Sequence, residues 1–310
     1  MEIIRGLHNI RPEHRGCVAT IGNFDGVHHG HQLLLAHLNA KRDELLAPSV
    51  LITFEPLPRE YFGGGVKPGR LTRFREKVTL LMRTGIDRMI CLPFNEQVSQ
   101  ITATSVIEDF LVGQLGVRYV VVGDDFRFGR GREGDYAMLK RGGDRLGFDV
   151  SHIGTLTFDH ERVSSSRIRE ALAAGDITLA EKLLGHRFFI MGHVIYGRQL
   201  GRQLGVPTAN IRLNRYRAPL DGVFAVTVSG LDRNYEGIAN VGIRPTIGGK
   251  EPLLEVHLFD FTGDIYGRLL TVNFRRKLRD ERQFASLDAL KTQIAADVTE
   301  ARAWFRRANG

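Results

Sequence analysis

Three stretches of this chain carry side chains whose types and spacing suit phosphate chemistry. The first is TIGNFDGVHHGHQLLLAHL, Thr20 to Leu38. It leaves an apolar strand, passes Gly22, Asp25, Gly26 and Gly30, and enters an apolar-periodic helix at Gln32. Glycines let backbone approach a phosphate closely, and a helix N-terminus offers free N–H groups and the positive end of its dipole. His28 and His31 stand about one turn apart, so both imidazoles could face one ligand, donate to a polyphosphate and stabilise charge on a departing pyrophosphate. A Gly-rich turn with incidental histidines would use the same letters. So would a metal site of His28, His29 and His31, although metal-binding pairs on helices usually sit four apart. The pattern is neither GxGxxG nor GxxxxGK followed by Ser or Thr, so it supports neither a dinucleotide site nor a P-loop.

The second stretch is GHVIYGRQLGRQLGVPTANI, Gly192 to Ile211. Thr208 and Asn210 lie two apart on extended chain, which points both side chains to one side. A hydroxyl and an amide oxygen are hard ligands suited to Mg²⁺ carrying nucleotide phosphates; a structural turn is the plainer alternative. Gly197, Gly201 and Gly205 upstream would let the backbone wrap a nucleotide. The third is LLEVHLF, where Glu255 stands in an apolar strand and a carboxylate requires a reason. A salt bridge to one of the many arginines is the ordinary one.

The elements that must position these residues differ between the two halves. Up to about residue 185, apolar runs alternate with amphipathic segments. Candidate strands are Cys17–Ile21, Val50–Phe54, Arg88–Leu92, Tyr119–Val122 and Asp149–Ile153, with helical patterns near 30–44, 74–84, 104–115 and 136–146. That alternation argues for a mostly parallel sheet with helices on both faces, whose ligands bind beyond the carboxyl ends of the strands. Arg167–Gly185 reads as two short connecting helices. After Gly185 the runs are β-rich, separated by Gly, Asn, Asp and Pro, until Leu287, Leu290, Ile294, Val298, Ala301 and Phe305 restore helical spacing. Ser286 suits the N-cap of that last helix. An antiparallel barrel or sandwich closed by a terminal helix follows, so the expected domains are 1–185 and 186–310.

Composition narrows the class. The 310 residues are 43% hydrophobic and 25% charged, ordinary for a globular protein and against a disordered chain. No apolar run reaches the roughly 18 residues of a membrane span, and the first residues lack the core of a secretory signal. Cys17 and Cys91 lie in apolar runs without zinc spacing and read as buried thiols of a reducing cytoplasm. A formal charge of +8 suits a polyanionic partner, small phosphorylated molecules or nucleic acid. A nucleic-acid binder would need aromatic platforms beside basic grooves, and the basic stretches here are short.

GNFDGVHHGH resembles the signature GxFDGxHxGH of the HxGH nucleotidyltransferases, which transfer a nucleotidyl group directly to an acceptor phosphate. TFEPLPREYF (Thr53–Phe62), VVGDDFRFGRGREGD (Val121–Asp135) and VSSSRIR (Val163–Arg169) fit that resemblance. The last offers hydroxyls and two arginines at a helix start, a grip for β- and γ-phosphates, or else an ordinary loop and cap. In the second half PTAN, DGVFAV, NVGIRPTIGG, LLEVHLFDFTGDIYG and LRDERQFASLDALKTQI are similar, in order and spacing, to the riboflavin kinase module. Together the two sets resemble the bacterial bifunctional riboflavin kinase/FMN adenylyltransferase family over about residues 15 to 305.

The resemblance implies a Rossmann-like N-terminal nucleotidyltransferase domain and a C-terminal antiparallel β-barrel kinase domain. It implies ATP, riboflavin, FMN and FAD as substrates or products, with Mg²⁺ at Thr208 and Asn210. Glu255 would be the base for the riboflavin 5′-hydroxyl, and His28 and His31 the catalytic pair of the other half. Nucleotide contacts would come from Gly22, Asn23, Phe24, Asp25, Gly26, Gly30, Asp125, Ser164, Ser165, Ser166 and Arg169. In the kinase half they would come from Gly197, Gly201, Gly205, Pro207, Thr208 and Asn210. Phe54, Pro56, Phe126, Arg279, Glu281 and Phe284 would meet flavin, with a salt-bridged surface open as the alternative for Arg279 and Glu281. The family pattern varies here at three points: His29 fills the variable position, Ser166 stands where Thr is common, and Val98 where an aromatic is usual. A cytoplasmic monomer or weak homo-oligomer, without nucleic-acid or membrane partners, completes the expectation.

Overall fold

In a computed structural model the chain forms two compact units, one of Met1–Lys67 with Lys77–Ser164, the other of Pro68–Glu76 with Ser165–Gly310. The structure describes residues 1–64, 69–197, 206–246 and 249–309.

The first unit is built on six parallel strands: β1 (Glu2–Arg5), β2 (Val18–Ile21), β3 (Ser49–Glu55), β4 (Arg88–Pro93), β5 (Tyr119–Gly123) and β6 (Asp149–Ile153). Their order is β1-β4-β3-β2-β5-β6. The central strands are covered on both faces, so they read as unbroken apolar runs rather than alternating ones. All four residues of β2 are buried, as are Val50, Leu51 and Ile52 of β3. Only β1 lacked a signal in the sequence, because its EIIR buries just Ile4 at the sheet edge. Helices α1 (His29–Leu45), α2 (Phe74–Leu81) and α3 (Tyr136–Leu146) match the amphipathic segments. Ala103–Ser105 continues into Val106–Gln114 in wider, π-type turns.

Strand order reverses beside β2: the chain runs from β2 outward through β3 and β4, then returns to β5 on the other side. Open α/β sheets bind ligands at such a switch point, beyond the carboxyl ends of the strands. GNFDG leaves β2, TFEPLP leaves β3 and GDDFRFG leaves β5 at that end of the sheet.

In the second unit, α4 (Ser165–Ala174) and α5 (Ile177–Leu184) precede a closed antiparallel barrel. Its strands are β7 (Phe189–Ile195), β8 (Ala209–Arg212), β9 (Gly222–Ser229), β10 (Tyr235–Thr246), β11 (Gly249–Leu258) and β12 (Leu269–Arg279). Around the barrel they run β7-β8-β11-β10-β9-β12, and the antiparallel pairing of β7 with β12 closes it. Leu254 and Val256 of β11, with Leu270, Val272 and Phe274 of β12, point into the fully buried interior. Alternation therefore turns Glu255 to the outer face. The terminal helix α6 (Leu287–Asn309) packs Ala301 and Phe305 against Ala225, Ile238 and Phe259. Ser286 Oγ accepts from Ala289 N at 3.2 Å, the cap its position predicted.

Residues 69–76 belong to this second body through a buried ion pair. Arg215 donates to both carboxylate oxygens of Glu76 at 2.8 and 2.9 Å, with both side chains 1% exposed. Glu76 also accepts from Met191 N at 2.8 Å and Arg73 N at 2.6 Å, and Arg215 donates to Arg70 O. A buried carboxylate is tolerable when its lone pairs are filled in this way.

Candidate active sites

In the first unit, β2 ends by handing its hydrogen bonding to Gly22, whose N–H reaches Ile52 O at 3.0 Å. The chain then turns through Phe24 (φ 48°), Gly26 (φ 88°) and Val27 (φ 42°). Left-handed backbone is natural for Gly26 and costly for a β-branched valine. Several contacts hold the turn. Phe24 and Asp25 are buried, Gln32 Nε2 donates to Val27 O at 2.8 Å, and Asn23 O accepts from Lys77 Nζ at 2.7 Å and Thr53 Oγ1 at 3.3 Å.

His28 is the N-cap of α1, which starts at His29, three residues ahead of the expected entry. Its Nδ1 accepts from His31 N at 3.4 Å, so a neutral His28 carries its proton on Nε2. The His28 and His31 rings stack with centroids 3.7 Å apart, placing both imidazoles side by side at a helix N-terminus. Burial, then the neighbouring His28 and Lys77, holds the His31 pKa well below the usual histidine range. Its shielded Nδ1 has no partner among the described residues. His29 turns outward, and among the described residues no three His, Cys, Asp or Glu side chains gather as a metal site.

The other loops place their residues around the same strand ends. Phe54 meets Phe94 edge to face at 5.6 Å, and Tyr61 and Phe62 from the short helix Pro58–Phe62 also meet Phe94, at 5.4 and 5.6 Å. Tyr61 and Phe62 are exposed, an aromatic surface that needs an explanation in a polar loop. Phe54 and exposed Pro56 are the residues expected here; Tyr61, Phe62 and Phe94 join Phe54, and the aromatic letters around TFEPLP are the signal that points to them. Phe126 stacks on Phe128 at 5.3 Å. Asp125 receives Arg162 at 2.8 Å, and a Cβ on Gly30 would stand 3.3 Å from the His28 ring and 3.9 Å from Val163 O. The chain entering VSSSRIR thus touches both the β5 loop and the start of α1. The unit division falls within the serine run: Ser164 closes the first unit, while Ser165, Ser166 and Arg169 open the second on α4, where Arg169 Nε donates to Gly69 O at 2.7 Å.

In the barrel, register aligns three polar residues on the outer face. Asn210 of β8 pairs with Glu255 of β11, and Glu255 pairs with Asn240 of β10. Asn210 is 6% exposed, and its amide fills the space a Cβ would need at Gly197. Asn240 Oδ1 is buried with no hydrogen-bond partner among the described residues. An orphaned acceptor costs about 1–3 kcal/mol, and it stands beside Glu255. Asn240 was quoted within NVGIRPT without a role; only the strand register reveals its place. Thr208 is half-buried just before β8, and Pro207 O lies 2.9 Å from His257 Nδ1. Gly201 and Gly205 lie outside the described residues.

After β12, Arg279 is held by buried Asp297 of α6, with contacts of 2.8, 3.0 and 3.1 Å. Arg279 and Arg282 also stand over the Phe284 ring at 5.6 and 4.8 Å. Glu281 is exposed and its carboxylate lies against Gly242, leaving no room for a Cβ there. Residues 279–284 are thereby tied to the end of β10 and to α6.

With both sites described, comparison with known proteins is decisive. Residues 10–167 match the FAD synthetase family model and residues 184–305 the riboflavin kinase model. A curated protein from Pseudomonas fluorescens, named bifunctional riboflavin kinase/FMN adenylyltransferase, is 52% identical over 98% of this chain and 97% of that protein. The chain belongs to the bifunctional riboflavin kinase/FMN adenylyltransferase family. An Escherichia coli (strain K12) relative of the same name is 47% identical over 98% of each chain. The same fold is seen in a solved Streptococcus pneumoniae structure described as a macrolide-efflux protein. It is 31% identical, covers 96% of this chain and 97% of that one, and has a TM-score of 0.82. Among the described residues of this family member, no helix is long and apolar enough to cross a membrane.

Proposed function

We propose that the two units divide flavin-cofactor synthesis as their sites suggest: the barrel unit phosphorylates riboflavin, and the parallel-sheet unit adenylylates the product. The register Asn210–Glu255–Asn240 carries the first half of this reading. Glu255 takes the proton of the riboflavin 5′-hydroxyl; the oxygen attacks the γ-phosphorus of ATP, the bond to the β–γ bridging oxygen breaks, and FMN and ADP result. Asn210 and Thr208 offer one amide and one hydroxyl oxygen, a hard donor set that fits Mg²⁺ when nucleotide phosphates complete its shell. Bound there, Mg²⁺ neutralises phosphate charge. Gly197 lets Asn210 approach, and Pro207 fixes the chain ahead of it.

In the other unit, an FMN phosphate oxygen attacks the α-phosphorus of a second ATP, pyrophosphate leaves and FAD forms without a covalent enzyme intermediate. His28 and His31 donate toward the triphosphate, where charge grows on the leaving pyrophosphate. Gly22, Asn23, Phe24, Asp25, Gly26 and Gly30 shape its cradle. Ser164 is assigned to its outer phosphates, and Asp125 to the nucleoside. Phe54 and Pro56, with Tyr61 and Phe62, and Phe126 are apolar surface for an isoalloxazine ring. Glu281 and Phe284, on the loop that Arg279 anchors, line the riboflavin end of the barrel site. The cytoplasm, which supplies ATP and keeps two free thiols reduced, is the proposed workplace.

Glu255→Ala should abolish FMN formation while FAD synthesis from supplied FMN continues. His28→Ala should do the reverse. Chromatography of the products measures both, and equal loss of the two reactions in a folded variant would sink the division.

A further inference from the structure

Lys77 is a buried lysine that neither sequence motif includes. It lies on α2 and is 1% exposed, and its ammonium donates to Asn23 O at 2.7 Å and Thr53 Oγ1 at 3.2 Å. A buried ammonium must have its donors filled, and here two of its contacts go to the loop carbonyl and the β3 hydroxyl. The Asn23 contact places the lysine at the site, because Asn23 opens the turn in which Phe24 and Val27 adopt left-handed backbone ahead of the His28–His31 stack. An anchor at the start of that turn opposes its relaxation, and a positive charge beneath it favours a polyanion above it.

We propose that Lys77 is a positioning residue of the adenylyl-transfer site: it locks the Gly22–Val27 turn in its triphosphate-receiving shape and supplies fixed positive charge behind it. This rests on the assignment of that site to the first unit. It has an electrostatic corollary at His31. The charged or titratable neighbours that lower the His31 pKa are His28 on its own helix and Lys77 on α2, with burial the larger cause. Lys77 thus helps keep His31 neutral, a hydrogen-bond donor rather than a fixed cation, until the triphosphate arrives.

The test uses the full chain with Lys77→Met, which keeps most of the stem but loses donor and charge, and Lys77→Gln, which keeps a donor and loses only charge. With FMN and ATP supplied, kcat/KM for ATP in adenylylation should fall roughly 10- to 100-fold in Lys77→Met. Lys77→Gln should fall less. Riboflavin phosphorylation by the same preparations should stay within about twofold, reporting that the barrel unit is folded, and buried Cys17 should stay closed to iodoacetamide, reporting that the first unit is folded. In NMR of histidine-labelled protein, the His31 titration midpoint should rise in both variants, a shift that a purely packing role would not produce. Adenylylation unchanged in Lys77→Met, an unmoved His31 midpoint, or equal loss of both reactions in both variants would each overturn the proposal. His28→Ala separates the two readings. If it leaves adenylylation intact, the site assignment has failed; if it abolishes adenylylation while Lys77→Met does not affect it, only the role of Lys77 has failed.

Discussion

A Cβ at Gly197 would occupy the place of the Asn210 amide, so Gly197 is required by close approach rather than by backbone angle. Gly197→Ala should lower riboflavin phosphorylation at least about tenfold, because displacing a positioned group is costly. Adenylylation from supplied FMN should be untouched, and assaying both reactions on one preparation checks this. Cys17 makes the opposite point. It is fully buried in β2's approach, and burial pushes its thiol up to about 12. The thiolate is the reactive form, so native protein at pH 8 should leave Cys17 unalkylated by iodoacetamide, and denatured protein should label it, as mass spectrometry of the peptide reads. Legibility at this scale followed the motifs. His28, His31, Asn210 and Glu255 stood out because their types and spacing were unusual. Asn240 and Lys77 did not, since a strand register and a loop carbonyl place them, and no local pattern records either.

Elements were legible where burial imposes a period. The parallel strands read as unbroken apolar runs, and α6 as a spacing of three and four. β1 was invisible because a four-residue edge strand with one buried side chain has no period to show. The residue pattern left barrel and sandwich open, since alternation is the same in both; closure by β7 against β12 is what distinguishes them. Helix α2 was legible as a helix but not in its allegiance. Its Glu76 fills the polar needs of Arg215 and Met191, while Lys77 reaches Asn23. Glu76→Ala leaves the Arg215 guanidinium buried without its carboxylate, which typically costs about 3–5 kcal/mol. The sole tryptophan, Trp304, lies on α6 in the same unit. Its fluorescence should therefore show the unit's denaturation midpoint falling clearly in Glu76→Ala, and less in Lys182→Ala, a substitution away from that ion pair.

For the whole molecule, incubation with riboflavin, ATP and Mg²⁺ should give FMN first and FAD after a lag, since one unit's product is the other's substrate. FAD without transient FMN would indicate that the intermediate is retained, and FMN that never converts would contradict an active first unit. The formal charge of +8 fits anionic nucleotide substrates without requiring nucleic acid. The two-part character of the chain was legible from the change of texture after Gly185. That residues 69–76 serve the second body was not, because a segment's local pattern does not say which core it joins. This carries a consequence for synthesis. Glu76 and Arg215 lie 139 residues apart in the chain, so at ~5–20 residues per second the ribosome takes roughly 7–30 s to deliver the arginine after the carboxylate. The barrel's nascent ion pair must wait for its second member while the first unit is being made in between. A gene split after Ser164 would place the two charges on different polypeptides, so the kinase half of this protein is not encoded by its downstream half alone.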